Sequence, residues 1–216
     1  MQFAIKVHRD ISHTRHWDTK IGQRLMLQMV DATLPLRDAG RLFTLLIQLE
    51  DRVQYSSDKL RYLEKVASVA VENHIDVHIE FRHLSWRDFD VLHALKMANI
   101  GICNMEIPRF DHVFPLKSYT TTSKGYIRYS GLNRNSWYPS KPQLTSRERI
   151  ESRNARYDYR YTTDQLRDRI VGQQDLKSKT ETIAVAYNNH YSASAVLNAI
   201  ENMQLLDSIL PDSDSP

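Results

Sequence analysis

Residues 75–92, "IDVHIEFRHLSWRDFDVL", place His78, Glu80 and Arg82 at every second position of an otherwise apolar run. Side chains two apart on a strand share a face, so these three groups point one way while Val77, Ile79 and Phe81 point the other. A carboxylate set beside cations suits acid/base chemistry on a negatively charged ligand: the cations hold the anion and the carboxylate transfers a proton. The same split recurs. Lys6 and His8 oppose Phe3, Ile5 and Val7, and Gln48 opposes Leu45, Ile47 and Leu49. Arg128 opposes Ile127 and Tyr129, Asn188 opposes Val185 and Tyr187, and a less regular strand offers Asn104 and Glu106.

These residues define a candidate site. Glu80 and Glu106 are the candidate catalytic carboxylates, either of them as general base or acid. Lys6, Arg82 and Arg128 would hold a phosphate-bearing or sugar-like anion, with His8, Gln48 and Asn188 adding polar contacts. Trp86 and Trp137 are candidate stacking rings, and for Trp86, at a helix start, packing against the sheet is the alternative. In "YNNHY" (187–191), alternation assigns Asn188 to the ligand and Asn189 to the turn. The competing reading of the charged set is a structural ion-pair network in which Glu80 pairs Arg82 while Lys6 and Arg128 balance Glu106.

His8, His78, Glu80, Glu106 and His190 are ligand types for zinc or manganese, but their spacing matches no tight ligand motif, so no metal is assigned and the cofactor is left open. His13, His16, His74, His93 and His112 fall in expected loops or helices, where solvent contact is the ordinary state.

Six strand-type runs carry these groups: 3–8, 43–49, 76–81, 101–107, 126–131 and 182–188. Helical patterns alternate with them, such as Leu25, Met29, Ala32 and Leu36, then Leu60, Leu63, Ala67 and Val71. Ser85 with Asp88, and Thr162 with Gln165, read as capping boxes. Alternation of strand and helix gives an α/β class with parallel strands. Polar groups on one face of many strands, late in each strand, favour a TIM-type barrel with its chemistry at the carboxyl-end mouth over an open doubly wound sheet, which would bury both faces under helices.

One domain over residues 1–210 is expected, with residues 211–216 as a disordered acidic tail. Residues 132–161 lack an apolar period and read as a lid or surface loop. Within "RERIESRNARYDYRYTTDQLRDR" (147–169), Arg147, Arg149, Arg153, Arg156 and Arg160 interleave with Tyr157, Tyr159 and Tyr161, which supports an alternative function: non-catalytic binding of nucleic acid or a partner. The formal net charge of +3 is too small for a dedicated nucleic-acid binder. One cysteine, Cys103, excludes an internal disulfide and a thiolate cluster, and no apolar run reaches the length of a membrane span. A cytoplasmic protein is the expectation.

Six stretches together carry a family resemblance: "FAIKVHRDISH" (3–13), "LLIQL" (45–49), "IEFRHLSW" (79–86), "GYIRYSGLN" (125–133), "YDYRY" (157–161) and "YNNHYSASAVLNA" (187–199). In this order and spacing the chain resembles the YecE-like family of uncharacterised TIM-barrel proteins. The resemblance implies a barrel with strands three to eight present, shortened at its N-terminus by two strands, the first bearing a Gly-Thr-Ser-Gly-Trp-type segment. It implies no established reaction, whether that of a hydrolase or another class of enzyme. Ser130 in "IRYSG" stands where the family usually has histidine. A shortened barrel would leave open sheet edges, which invite self-association, and an inactive descendant is a further alternative.

Overall fold

The computed structural model describes residues 1–137 and 145–209. The expected tail at 211–216 therefore lies outside the described residues. All six expected strands form: β1 (Phe3–Lys6), β2 (Leu42–Gln48), β3 (Val77–Glu80), β4 (Gly101–Glu106), β5 (Lys124–Tyr129) and β6 (Thr182–Tyr187). Among the described residues eight α-helices accompany them: α1 (Arg9–Ser12), α2 (Thr19–Asp38), α3 (Ser57–Glu72), α4 (Phe89–Met97), α5 (Arg134–Trp137), α6 (Ser146–Ala155), α7 (Thr163–Ser178) and α8 (Ser194–Ile209).

The strands pair in parallel, each with its neighbour in sequence, in the order β1-β2-β3-β4-β5-β6. The α/β class holds, but the expected TIM barrel does not form. Closure needs a hydrogen-bonded ladder between the first and last strands; here the described strands make an open, curled half-barrel, with β1 and β6 at its edges. The curl brings those edges to face each other, since Phe3 and Ala4 of β1 and residues 182–186 of β6 line one cavity of about 470 Å³.

Burial explains the layers. The outward faces of β2 and β3 supply Leu45, Ile47, Val77 and Ile79, which join Met26, Val30, Leu63, Val66 and Ala67 of α2 and α3 in the main core. Full burial of each large aliphatic side chain contributes about 1.5–3 kcal/mol, so this layer dominates the fold. The α2 and α3 helices start where oxygen-bearing side chains cap free amides: Asp18 accepts from the Ile21 N–H at 3.0 Å and Ser56 from the Lys59 N–H at 3.4 Å. The expected capping box of Thr162 and Gln165 starts α7. Ser85 does not cap α4. Residues Leu84–Trp86 form a 3₁₀ turn capped by His83, and Asp88 caps α4 instead. Among the described residues no helix is long and apolar enough to cross a membrane.

Two glycines are fixed by geometry. A Cβ on Gly101 would stand 2.4 Å from the His78 ring, so the ring occupies the space that a side chain there would need. Gly131 leaves β5 with φ of +88°, a left-handed turn that other residues adopt at a cost.

Candidate functional site

Parallel strands end on the same side, so their last residues form one rim. Lys6 ends β1, Gln48 ends β2 and Glu80 ends β3; Arg82 follows β3, Arg128 lies near the end of β5, and Asn188 follows β6. Lys6, Gln48, Arg82, Arg128 and Asn188 line one open cavity of about 650 Å³. The strand alternation thus brings five of the nine candidate site residues to a common surface, with Glu80 immediately behind it.

Glu80 is fully buried. Its Oε1 accepts from Arg82 Nε at 2.9 Å, and its Oε2 accepts from Arg128 Nη1. Burial alone would raise its pKa, but Arg128 and then Arg82 outweigh it and hold the carboxyl below its ordinary value of 4.5. A carboxylate so held is a poor proton donor, and both oxygens are engaged, so its geometry suits orienting the two arginines. The Arg82 Nη2 is buried and has no partner among the described residues. Lys6 is exposed along the open edge. Its amine nevertheless titrates below the ordinary lysine value of 10.5, through burial first and then the Arg82 charge, with Glu80 opposing.

The remaining candidates lie elsewhere. Glu106 faces the helices: Arg169 of α7 grips it bidentately, Nη2 to Oε1 at 2.8 Å and Nε to Oε2 at 3.2 Å. Asn104 shares that face and hydrogen-bonds the backbone of Tyr119. The parity of β4 is set by Cys103, whose thiol sits 4.0 Å from Glu80 on the inner side, and this sends positions 104 and 106 outward. His8 does not line the cavity; it is exposed, and its Nδ1 accepts from the Asp10 N–H at 3.3 Å to cap α1. Trp86 is fully buried, stacked on Phe81 at 4.7 Å, with its indole N–H donating to the Val53 carbonyl at 2.7 Å, so it packs.

His78 lies deeper in the half-barrel. Its Nε2 donates to the Lys124 carbonyl at 3.0 Å and its Nδ1 contacts the Thr44 hydroxyl at 2.8 Å. Burial lowers its pKa, which keeps the ring neutral in a structural layer with Phe43 and Tyr126. Among the described residues, no three of His, Cys, Asp and Glu come together in a group able to hold a metal ion. Asn189 is buried and donates to the Tyr159 carbonyl at 2.7 Å, which leaves Asn188 as the asparagine on the cavity.

Several cavity residues went unassigned in the sequence. Arg9, His13, Arg156 and Tyr157 all line it, beside Trp137, the second of the candidate stacking rings. Arg9 and His13 belong to "FAIKVHRDISH", where the turn after β1 folds them over the rim; the signal was their closeness to Lys6. His13 is partly buried and contacts the Ser12 hydroxyl through Nδ1 at 2.7 Å. Its pKa is lowered by burial, with Glu50 opposing and Lys6 reinforcing, so the ring is neutral at pH 7. Arg156 and Tyr157 come from the Arg- and Tyr-rich segment. Its other rings turn inward: Tyr161 is buried and packs edge-on against Tyr159 at 5.0 Å. Arg160 pairs with Glu201 at 3.6 Å and Arg147 with Glu151 at 2.8 Å. That arrangement leaves no ladder of stacking rings from Tyr159 and Tyr161 for a single strand.

A family model described as "Protein of unknown function DUF72" matches residues 1–215. No curated protein matches the chain. Among solved structures, a DUF72 family protein from Thermotoga maritima superposes with a TM-score of 0.81 at 24% identity, over 96% of this chain and 74% of that one. Two structures of a DUF72 family protein from Enterococcus faecalis give TM-scores of 0.79 and 0.77 at 21% and 20% identity, over 100% and 95% of this chain and 78% of theirs. At such identities the likeness speaks for the fold.

Proposed function

Because the chain belongs to the DUF72 family of proteins of unknown function, we propose from its own cavity that it binds a small phosphate-bearing anion at the carboxyl-end rim. One observation carries this reading. Arg82 and Arg128 share one buried carboxylate, Lys6 stands beside them, and Arg82 keeps a buried Nη2 without a partner among the described residues. A guanidinium N–H left unpaired in a cavity wall is costly until an acceptor arrives, and a phosphate oxygen meets both the charge and the geometry. The ion-pair network and the anion site are thus compatible: Glu80 orients the arginines, and their surplus positive charge faces the cavity.

Titration calorimetry with inorganic phosphate at low ionic strength tests the reading. Saturable binding is expected, weakened about tenfold or more by Arg82→Gln, as for loss of a charge-assisted hydrogen bond. Affinity that ignores this substitution would contradict it.

His13 favours a second reading, acid/base chemistry on the bound ligand. A neutral imidazole on the cavity, oriented through Nδ1 by Ser12, is suited to accept a proton. In this reading Glu80 is a positioning residue and Glu106 supports α7.

A further inference from the structure

Anion binding accounts for only the floor of the cavity. Lys6, Arg82 and Arg128 make that floor, whereas Trp137, Arg156, Tyr157 and His190 line a wall from the segments after β5 and β6. Trp137 is 2% exposed, and its indole N–H has no acceptor among the described residues. An indole nitrogen only donates, and a buried donor left unpaired costs about 1–3 kcal/mol. Trp137 lines the cavity while its indole nitrogen lies just beneath the surface, so a ligand oxygen that reaches it through a small shift of this wall supplies what the protein does not.

The surroundings indicate what kind of ligand carries that oxygen. The Arg156 guanidinium stands 5.7 Å from the Trp137 ring centre, with its Nε donating to the Ser136 carbonyl at 3.2 Å. Tyr157 lies 5.9 Å from Trp137 and 5.1 Å from His190, ring to ring. The first pair is inclined at 67° and the second at 34°, so the rings form a folded surface and no parallel slot for a flat base. Gln48 and Asn188 each offer both a donor and an acceptor, matching hydroxyl groups, which need both. The volume of about 650 Å³ is that of a site for a whole small molecule, far more than a lone tetrahedral anion fills.

Building on the anion reading above, we infer that the ligand has two ends: it is a phosphate monoester of a sugar or similar polyol. Its phosphate occupies the floor of Lys6, Arg82 and Arg128. An oxygen of the polyol accepts from the Trp137 indole N–H, and the carbon skeleton lies against Tyr157 and His190.

Calorimetric titration of the whole chain with inorganic phosphate, glycerol 3-phosphate, ribose 5-phosphate, glucose 6-phosphate and adenosine monophosphate tests this. At least one polyol phosphate is expected to bind about tenfold tighter than inorganic phosphate, and Trp137→Phe should cut that advantage to within about threefold while sparing phosphate itself. Equal affinities for all phosphates in the unmodified protein would overturn the inference. So would a preference for adenosine monophosphate, or an equal loss for every ligand in a folded Trp137→Phe protein. If that variant does not fold, by circular dichroism, the comparison in the unmodified protein decides alone. Failure of inorganic phosphate to bind would sink the anion reading itself, so the two failures are distinguishable.

Discussion

Glu80 shows how one residue type supports two roles until its neighbours are known. The sequence revealed its face, its strand and its proximity to Arg82, because alternation on a buried strand is visible in residue order. It did not reveal the second arginine, Arg128, which comes from two strands away and lies on the other Glu80 oxygen. With both oxygens held and the carboxyl fully buried, Glu80→Gln leaves two largely buried guanidinium groups without their counter-charge. A loss of about 3–5 kcal/mol is expected, as for breaking a buried ion pair, and urea denaturation measures it; a loss under about 1 kcal/mol would show the pair to be dispensable. The pH dependence follows from the sign of the shift. A carboxyl whose pKa is lowered in the fold adds stability that is present above its ordinary value of 4.5 and disappears as the pH falls through the lowered one. The unmodified protein should therefore lose stability over that acid window, and Glu80→Gln should lack this component of the loss.

At the scale of elements, strands were legible and their parity was not always so. The alternation is clean in β3, but β4 reads "GICNME", in which apolar residues occupy both faces, and the placing of Glu106 with the site from residue order does not hold. The contacts of Cys103 with Glu80 and of Arg169 with Glu106 decide it. Helix α8 inverts the usual amphipathic pattern. Ser194, Asn198 and Asn202 form its buried face, while Val196, Leu197, Ile200 and Met203 are 43–63% exposed. The buried amides are used: Asn198 accepts from the Tyr161 N–H at 3.0 Å and donates to its carbonyl at 2.9 Å, and Asn202 exchanges hydrogen bonds with Gln173 at 3.0 and 3.1 Å. Hydrophobic periodicity finds helices by their apolar stripe, and here the stripe faces outward. Asn198→Ala should therefore cost about 2–4 kcal/mol, from several buried hydrogen bonds, while Ile200→Lys should change stability by less than about 0.5 kcal/mol. Chemical denaturation of the two variants checks this, and the reverse order would show that the apolar face is the one that holds α8.

For the whole molecule, the polar register suggested closure because luminal groups on many strands suit a barrel, yet the sheet stays open and the described ends of β1 and β6 face each other across a cavity. Closure is a relation between the two most distant strands, and local patterning does not encode it. The rim survives the opening, because it depends only on parallel strands ending together. Lys6, Arg82 and Arg128 reach it from β1, the end of β3 and β5, so the site exists only when the whole sheet is formed. Crystals grown with selenate, a tetrahedral dianion like phosphate, test this assembly most directly through the anomalous scattering of selenium. The account expects one dominant peak within hydrogen-bonding distance of the Arg82 guanidinium and close to Lys6 and Arg128; a fully occupied peak elsewhere, with none at these residues, would contradict it.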